Sequence, residues 1–353
     1  MEIEKNNIKN GSNETAAPAY PWEHSSDEEL LKMRVCDLAL HIEGTELQDD
    51  IREFYSELDA KGLIFHPVVY LADEWLTPDG EPVIGVPFFL AHPRLKKLEQ
   101  KFCMDVEGGT RDSFKRLLRH EAGHAFNYAY LLHKKERWNE LFGPFSKEYR
   151  DRYTYRPYSK SYVLHLEDWY AQCHPDEDFA ETFAVWLTPN HDWKNEYKGW
   201  KALEKLEYTD TLMKEIQGKQ AIVKKGNKCF SASRMKTTLE GYYKRKRRIN
   251  REDYPDFHDS DLERIFTRES SATAKKASQF IRIYRVKIIN DVSLWTGGKK
   301  FIISRLLQDL IERSNEIHLF VSHNEMETIL KLTAYVTSLI MNYRVTGSFG
   351  RKR

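Results

Sequence analysis

The chain has 353 residues, 41% hydrophobic and 13% aromatic, with 55 basic against 54 acidic residues and a net charge of +1. That apolar content fills one large or two modest cores and excludes wholesale disorder, and the charge balance excludes a global field for polyanions. The four cysteines (Cys36, Cys103, Cys173, Cys229) are dispersed with no CxxC pair, which excludes a cysteine zinc ribbon or a disulfide-built miniature and suits a reducing compartment.

Met1–Pro18 is polar and lacks the apolar run of a secretory signal. The longest apolar-leaning stretch, Ile329–Tyr343, is interrupted by Lys331 and Asn342 and is too short to span a bilayer. These features predict a cytoplasmic chain with no membrane partner. Residues 1–26 read as a flexible tail with Trp22 as a docking point. From Asp27 the spacing turns helical, through Leu30, Leu31, Val35, Leu38 and Leu40, then Leu47, Ile51, Phe54, Tyr55 and Leu58, with Ser26 or Asp27 as the cap. Ile64–Leu71 reads as a strand, Thr77–Gly80 as a turn, and Val83–Leu90 as a second strand that Pro87 assigns to a sheet edge.

A long helix is expected over about 112–135, an aromatic-rich loop to about Tyr170, a helix from Pro175 to before Pro189, and another over 200–216. Beyond Gln217 the composition changes. Lys224–Arg251 holds eleven basic residues against one acid, Glu240, a local charge of +10 that leaves the rest at −9. Helical spacing returns over 271–291, 300–315 and 324–345. The division is a tail (1–26), a first domain (27–217), a basic linker (218–270) and a helical C-terminal region (271–353). The fold class is α+β, mainly helical, with a small sheet.

His120-Glu121-Ala122-Gly123-His124 is an H-E-x-x-H motif inside the strongest helical segment. Residues four apart share one helical face, so both imidazoles reach a single Zn²⁺ at about 2.0–2.1 Å. Glu121 projects beside them, placed to take a proton from a water rather than to bind the metal. A catalytic zinc needs a third protein ligand. Asn127 and Tyr130 stand where the long metzincin pattern requires Gly and His, so that class is excluded. The better source is His174-Pro-Asp-Glu-Asp-Phe-Ala-Glu181: Glu177 and Glu181 are one turn apart, on a helix whose Phe179, Phe183 and Trp186 face a core. Two carboxylates buried against two histidines make sense with a cation between them. Glu177 is assigned as third ligand, and Glu181 as the acceptor that fixes a ligand imidazole. The acidic run Asp176–Asp178 also suits a helix N-terminus.

"RHEAGHAFNYAY" followed by "HPDEDFAETFAVWL" resembles the bacterial zinc-binding metallopeptidases of gluzincin-like type, and the E-x-x-A-E arrangement is similar to the catalytic domain of anthrax lethal factor. The resemblance covers residues 27–217. It implies a zincin fold with a small sheet whose edge strand runs above the metal. It implies His120, His124 and Glu177 as ligands of one Zn²⁺ per chain, and Glu121 as base. It also implies a tyrosine facing the metal seven residues before the glutamate ligand, the place Tyr170 occupies.

The expected function is zinc-dependent hydrolysis of a peptide or related amide bond, on a peptide or protein substrate. Glu121 moves the proton, Tyr170 steadies the oxyanion, and Val83–Leu90 pairs with extended substrate. The alternative is a non-enzymatic zinc domain whose basic C-terminal part binds a partner or nucleic acid through 224–251; a solvated linker or a surface pairing with the acidic domain is the preferred reading of that run. His133, His165, His174 and His191 compete as ligands or acids, with hydrogen-bonded packing as the plainer role. Tyr153, Tyr155 and Tyr158 read as a packing cluster. Gly297-Gly298-Lys299-Lys300 lacks the outer glycine and the Ser/Thr of a P-loop and reads as a turn before a helix.

Overall fold

Cap residues and apolar spacing place the first elements. A computed structural model describes residues 20–149, 156, 158–246, 257–269, 274–321, 324–346 and 349; positions 1–19 of the expected tail, Tyr153, Tyr155 and the end of the basic run from 247 lie outside the described residues. The architecture is mainly helical with one two-stranded sheet and two large apolar cores. Helix α1 (Asp27–Lys32) opens with a capping box between Ser26 and Glu29. Helix α2 (Glu46–Ala60) buries Leu47, Ile51, Phe54 and Leu58 at helical spacing.

Strands β1 (Val68–Ala72) and β2 (Val83–Pro87) pair in parallel, Val68 opposite Val83 and Ala72 opposite Pro87. The chain between them crosses to the other side of β2, where Leu76 and Gly85 exchange backbone hydrogen bonds at 3.2 and 2.8 Å. A side chain at Gly85 would stand 2.5 Å from Leu76 Cδ2, so glycine permits this approach. Every residue of β2 is buried. The expectation that Val83–Leu90 is an edge open to substrate is therefore corrected: Leu76 occupies that edge, and after Pro87 the chain turns into a 3₁₀ segment at Phe88–Ala91.

Helix α3 (Pro93–Cys103) was not expected; His92 caps it and Pro93 opens it. Helix α4 (Arg111–Ala129), capped by Thr110, carries the H-E-x-x-H motif. A short α5 (Glu136–Phe142) interrupts the expected loop, burying Trp138 and Phe142. Helix α6 (Pro175–Leu187) packs across α4, followed by α7 (Trp193–Glu196) and α8 (Ala202–Ile216).

The first core extends past both expected ends. Tyr20 and Trp22 are buried in it, the indole donating to Leu38 O at 2.9 Å. After 217 the chain stays attached: Ile222 and Val223 N–H both donate to Ala129 O at 2.9 Å, Ser231 bridges β1, and α9 (Leu239–Lys246) buries Leu239, Tyr242 and Tyr243. The basic composition there conceals core residues at helical spacing. Lys244 pairs with Glu240, Arg245 with Asp73 and Lys246 with the buried Glu99.

The second core gathers α10 (Asp259–Ile265), α11 (Ala277–Thr296), α12 (Lys300–Glu316) and α13 (Glu325–Thr346). It begins inside the stretch read as linker, since Leu262, Ile265 and Phe266 are part of it. Gly297 ends α11 in the left-handed conformation, and Gly297–Lys299 turn the chain into α12. Met104, just after α3, packs against this core. Among the described residues no helix is long and apolar enough to cross a membrane.

Candidate metal centre

The centre lies where α4 crosses α6. Gly123, in the middle of the motif, makes the approach possible: a Cβ there would be 2.6 Å from Ala180 Cα. With the backbones this close, side chains one turn apart on each helix meet. His120 Nε2 is 3.0 Å and His124 Nε2 3.3 Å from Glu177 Oε2, and the two Nε2 atoms are 3.3 Å apart. Donor atoms of His120, His124 and Glu177 all lie within 4.8 Å of one another, and all three residues are buried. These residues can hold a metal ion.

The other imidazole nitrogens are already committed. His120 Nδ1 donates to Glu181 Oε1 at 2.8 Å, and Glu181 Oε2 accepts from Leu166 N–H at 2.8 Å. His124 Nδ1 donates to Asp176 Oδ2 at 2.8 Å. Asp176 also accepts from Asn127 Nδ2 and the Tyr128 hydroxyl, each at 2.6 Å. A carboxylate only accepts, so both rings carry their hydrogen on Nδ1, and in neutral rings both Nε2 lone pairs face the Glu177 oxygen. Three acceptors aimed at one point call for a cation between them.

Charge agrees with geometry. Four carboxylates (Glu121, Asp176, Glu177 and Glu181) are buried around two imidazoles. Burial would depress the His120 imidazole, but hydrogen bonds and charge from Glu177 and Glu181 outweigh it and push it up to about 10. His124 rises well above its ordinary value in the same way, Asp176 and Glu177 overcoming burial. Glu177 and Asp176 run against their own burial, each drawn down to about 2, Glu177 by His124 and His120 and Asp176 by His124 with bonds from Tyr128 and Asn127. A metal ion supplies the positive charge that the protonated rings otherwise provide. The donor set fits.

Glu121 stands outside the donor cluster but lines the same cleft, of about 520 Å³, with His120, His124 and Glu177. Burial raises its carboxyl, opposed by the charges of the two histidines. Thr77 donates to the Glu121 carbonyl at 3.0 Å, so the segment ahead of β2 is pinned to the motif helix. Tyr170 also lines the cleft, its ring centre 5.7 Å from that of His120, with the phenol pushed up by burial.

The competing histidines have other partners. His174 caps α6, its Nδ1 accepting from Asp176 N–H at 3.1 Å and its Nε2 donating to Lys147 O at 2.7 Å. His165 Nε2 donates to Arg116 O at 2.9 Å, and burial pushes the ring down to about 4. His133 stacks on Phe145, and His191 pairs with Glu196. Tyr158 is exposed beside Trp169.

Asp176, Asn127 and Tyr128 were missed in the sequence. Successive helical residues point about 100° apart, so the acidic triplet divides: Asp176 faces His124, Glu177 the metal position, and Asp178 the buried Lys205 at 2.5 Å. The available signal was that Asn127 and Tyr128 follow His124 by three and four residues and share its face. Trp75, Leu76, Thr77 and Asp79, rather than residues of β2, line the cleft alongside α4 and α6. No family model, curated protein or solved structure matches the chain.

Proposed function

We propose that the chain is a zinc metallopeptidase with a zincin-like first domain, cutting a peptide or related amide bond. The observation that carries this reading is Glu121: a buried carboxylate in the cleft wall, adjacent in sequence to one ligand and outside the donor cluster. A structural zinc is closed by four protein ligands and has no use for such a group, whereas a catalytic one has three ligands and an open side. Two histidines and one glutamate are a donor set suited to zinc.

Zinc held by His120, His124 and Glu177 would supply Lewis acidity toward a carbonyl and bring the pKa of a water toward neutral. Glu121 accepts the water's proton and passes it to the leaving nitrogen, a transfer favoured by its raised pKa. The Tyr170 phenol, kept protonated by burial, donates to the oxygen that gains charge. Glu181 and Asp176 hold the two rings in the tautomer that offers Nε2.

Glu121→Gln tests the proposal. Metal analysis of the purified chain should find about one zinc in wild type and variant alike. Cleavage of a peptide library should fall about 10²–10⁴-fold in the variant. Wild-type turnover by Glu121→Gln, or iron in place of zinc, would overturn it.

A further inference from the structure

The fold treats the two parts of the basic run differently. Lys244, Arg245 and Lys246, on α9, pair with Glu240, Asp73 and Glu99. Residues 221–231 instead form an extended strap over the sheet. Leu71, Ile84 and Val86 face the first core, while Tyr70, Ala72 and Val83 face the other way, toward the strap. Its inward contacts run its whole length. Ile222 and Val223 N–H reach Ala129 O, and a Cβ at Gly226 would stand 2.9 Å from Val83 Cγ1. Tyr70 donates to Cys229 O at 2.8 Å, and Ser231 bridges Ala72. A strap lying flat on a sheet has one free side. Ile222, Lys224, Lys225, Lys228 and Phe230 occupy it, all exposed, and the exposed Arg234 folds back to donate to Lys228 O. Among the described residues none of these four cations enters an ion pair; the neighbouring Glu81 turns both carboxylate oxygens to Asn227. Ile222 is 65% and Phe230 67% exposed.

We propose that the outer side of this strap binds the surface of an anionic lipid bilayer. Its charge selects an anionic partner: Lys224, Lys225, Lys228 and Arg234 are each worth about a fivefold gain in partitioning beside such a surface. Its apolar side chains select the bilayer among polyanions. Phe230 and Ile222 leave water when they enter the boundary between headgroups and acyl chains. Single-stranded nucleic acid rewards successive aromatic platforms, and an isoleucine offers none. Phe230 stands in a turn at a φ of +50°, which lifts it between Lys228 and Arg234. The expectation of no membrane partner concerned a spanning segment, which a surface contact does not need.

Co-sedimentation of the full chain with vesicles tests this, using phosphatidylcholine alone and phosphatidylcholine with about 30% phosphatidylserine. Binding to the mixed vesicles alone is expected, weakening as salt rises from about 0.05 to 0.5 M. Lys224→Gln/Lys225→Gln/Lys228→Gln should lower partitioning about 10²-fold. Phe230→Asn, which keeps the left-handed backbone accessible, should lower it about tenfold. These positions are exposed, so metal content and melting transition should match wild type. If the triple variant does not fold, Phe230→Asn alone carries the comparison. Equal binding to both vesicles, binding to neither, or undiminished binding by either folded variant overturns the proposal. So does capture of single-stranded RNA in place of the mixed vesicles, which would assign the strap to nucleic acid.

Discussion

Two helix pairs organise this molecule, and they are filled in opposite ways. Where α4 meets α6, His120, His124, Asn127 and Tyr128 meet Asp176, Glu177 and Glu181, and the same two helices bury Arg119 and Asp178 on faces turned to their neighbours. Where α11 meets α12, Ile281, Ile288, Val292, Ile303, Leu307 and Leu310 fill the core; among the described residues its buried polar groups are hydroxyls such as Ser278, Ser304 and Ser314. The apolar pair is stabilised chiefly by area, about 25 cal/mol per Å² removed from water, with Arg285 donating to Ser304 across it. The polar pair holds only because each charge has a counterpart: Arg119 grips Glu57 through two bonds of 2.7 and 2.8 Å, Lys205 meets Asp178, and Asp176 accepts three bonds from α4. A buried charge is costly when a partner is removed, so the first pair tolerates far less change.

The largest effect is expected at Lys205. Burial pushes the Asp178 carboxyl up to about 7 even against the pull of Lys205. Lys205→Met should destabilise the first core by about 3–5 kcal/mol in denaturant melts, and adding Asp178→Leu should recover most of that loss. If the double variant is no more stable than the single one, the pair is not what holds α6 to α8.

Next comes Gly123→Ala, which drives a methyl into the α6 backbone at Ala180. A loss of about 1–3 kcal/mol is expected, together with weaker metal binding as the helices part. Full stability with unchanged metal content would show that the approach of α4 and α6 is not limiting.

Asp176→Asn separates site from fold. It keeps the volume but removes the carboxylate that orients His124, so chelator competition should read a metal affinity about 10–100-fold lower. An unchanged affinity would leave Glu181 as the only imidazole anchor that matters.

The last effect concerns the second core and is spread over a pH range. Burial pushes His258 down to about 4 against the raising influence of Asp261 and Asp259, while its Nδ1 meets the Tyr335 hydroxyl at 2.8 Å. The unfolded ring takes a proton near pH 6.5 and the folded ring only near 4, so the unfolded chain binds more protons between them. Stability of this core is therefore present above pH 6.5 and lost as pH falls toward 4, at up to about 1.4 kcal/mol per unit. His258→Gln should flatten that slope in melts followed across the window; a slope that persists would place the sensitivity elsewhere.

The local signals in the sequence go far for this protein. Spacing alone places His120 and His124 on one face of a helix and Glu177 and Glu181 on another, because helical periodicity is written in four-residue steps. Cap and breaker residues locate α1 and α6 to within a few positions and helical spacing finds the series α11–α13, whereas the helix expected over 112–135 ends at Ala129, six residues early. What spacing does not contain is which helix meets which, and how closely. The pairing of His124 with Asp176 depends on Gly123 admitting Ala180, and the parallel sheet depends on Leu76 crossing beyond β2 to Gly85. The core residues hidden among the lysines of 224–246 become visible only when α9 docks on the first core. Periodicity is a property of one segment; close approach is a property of two, and the donor cluster belongs to the second kind.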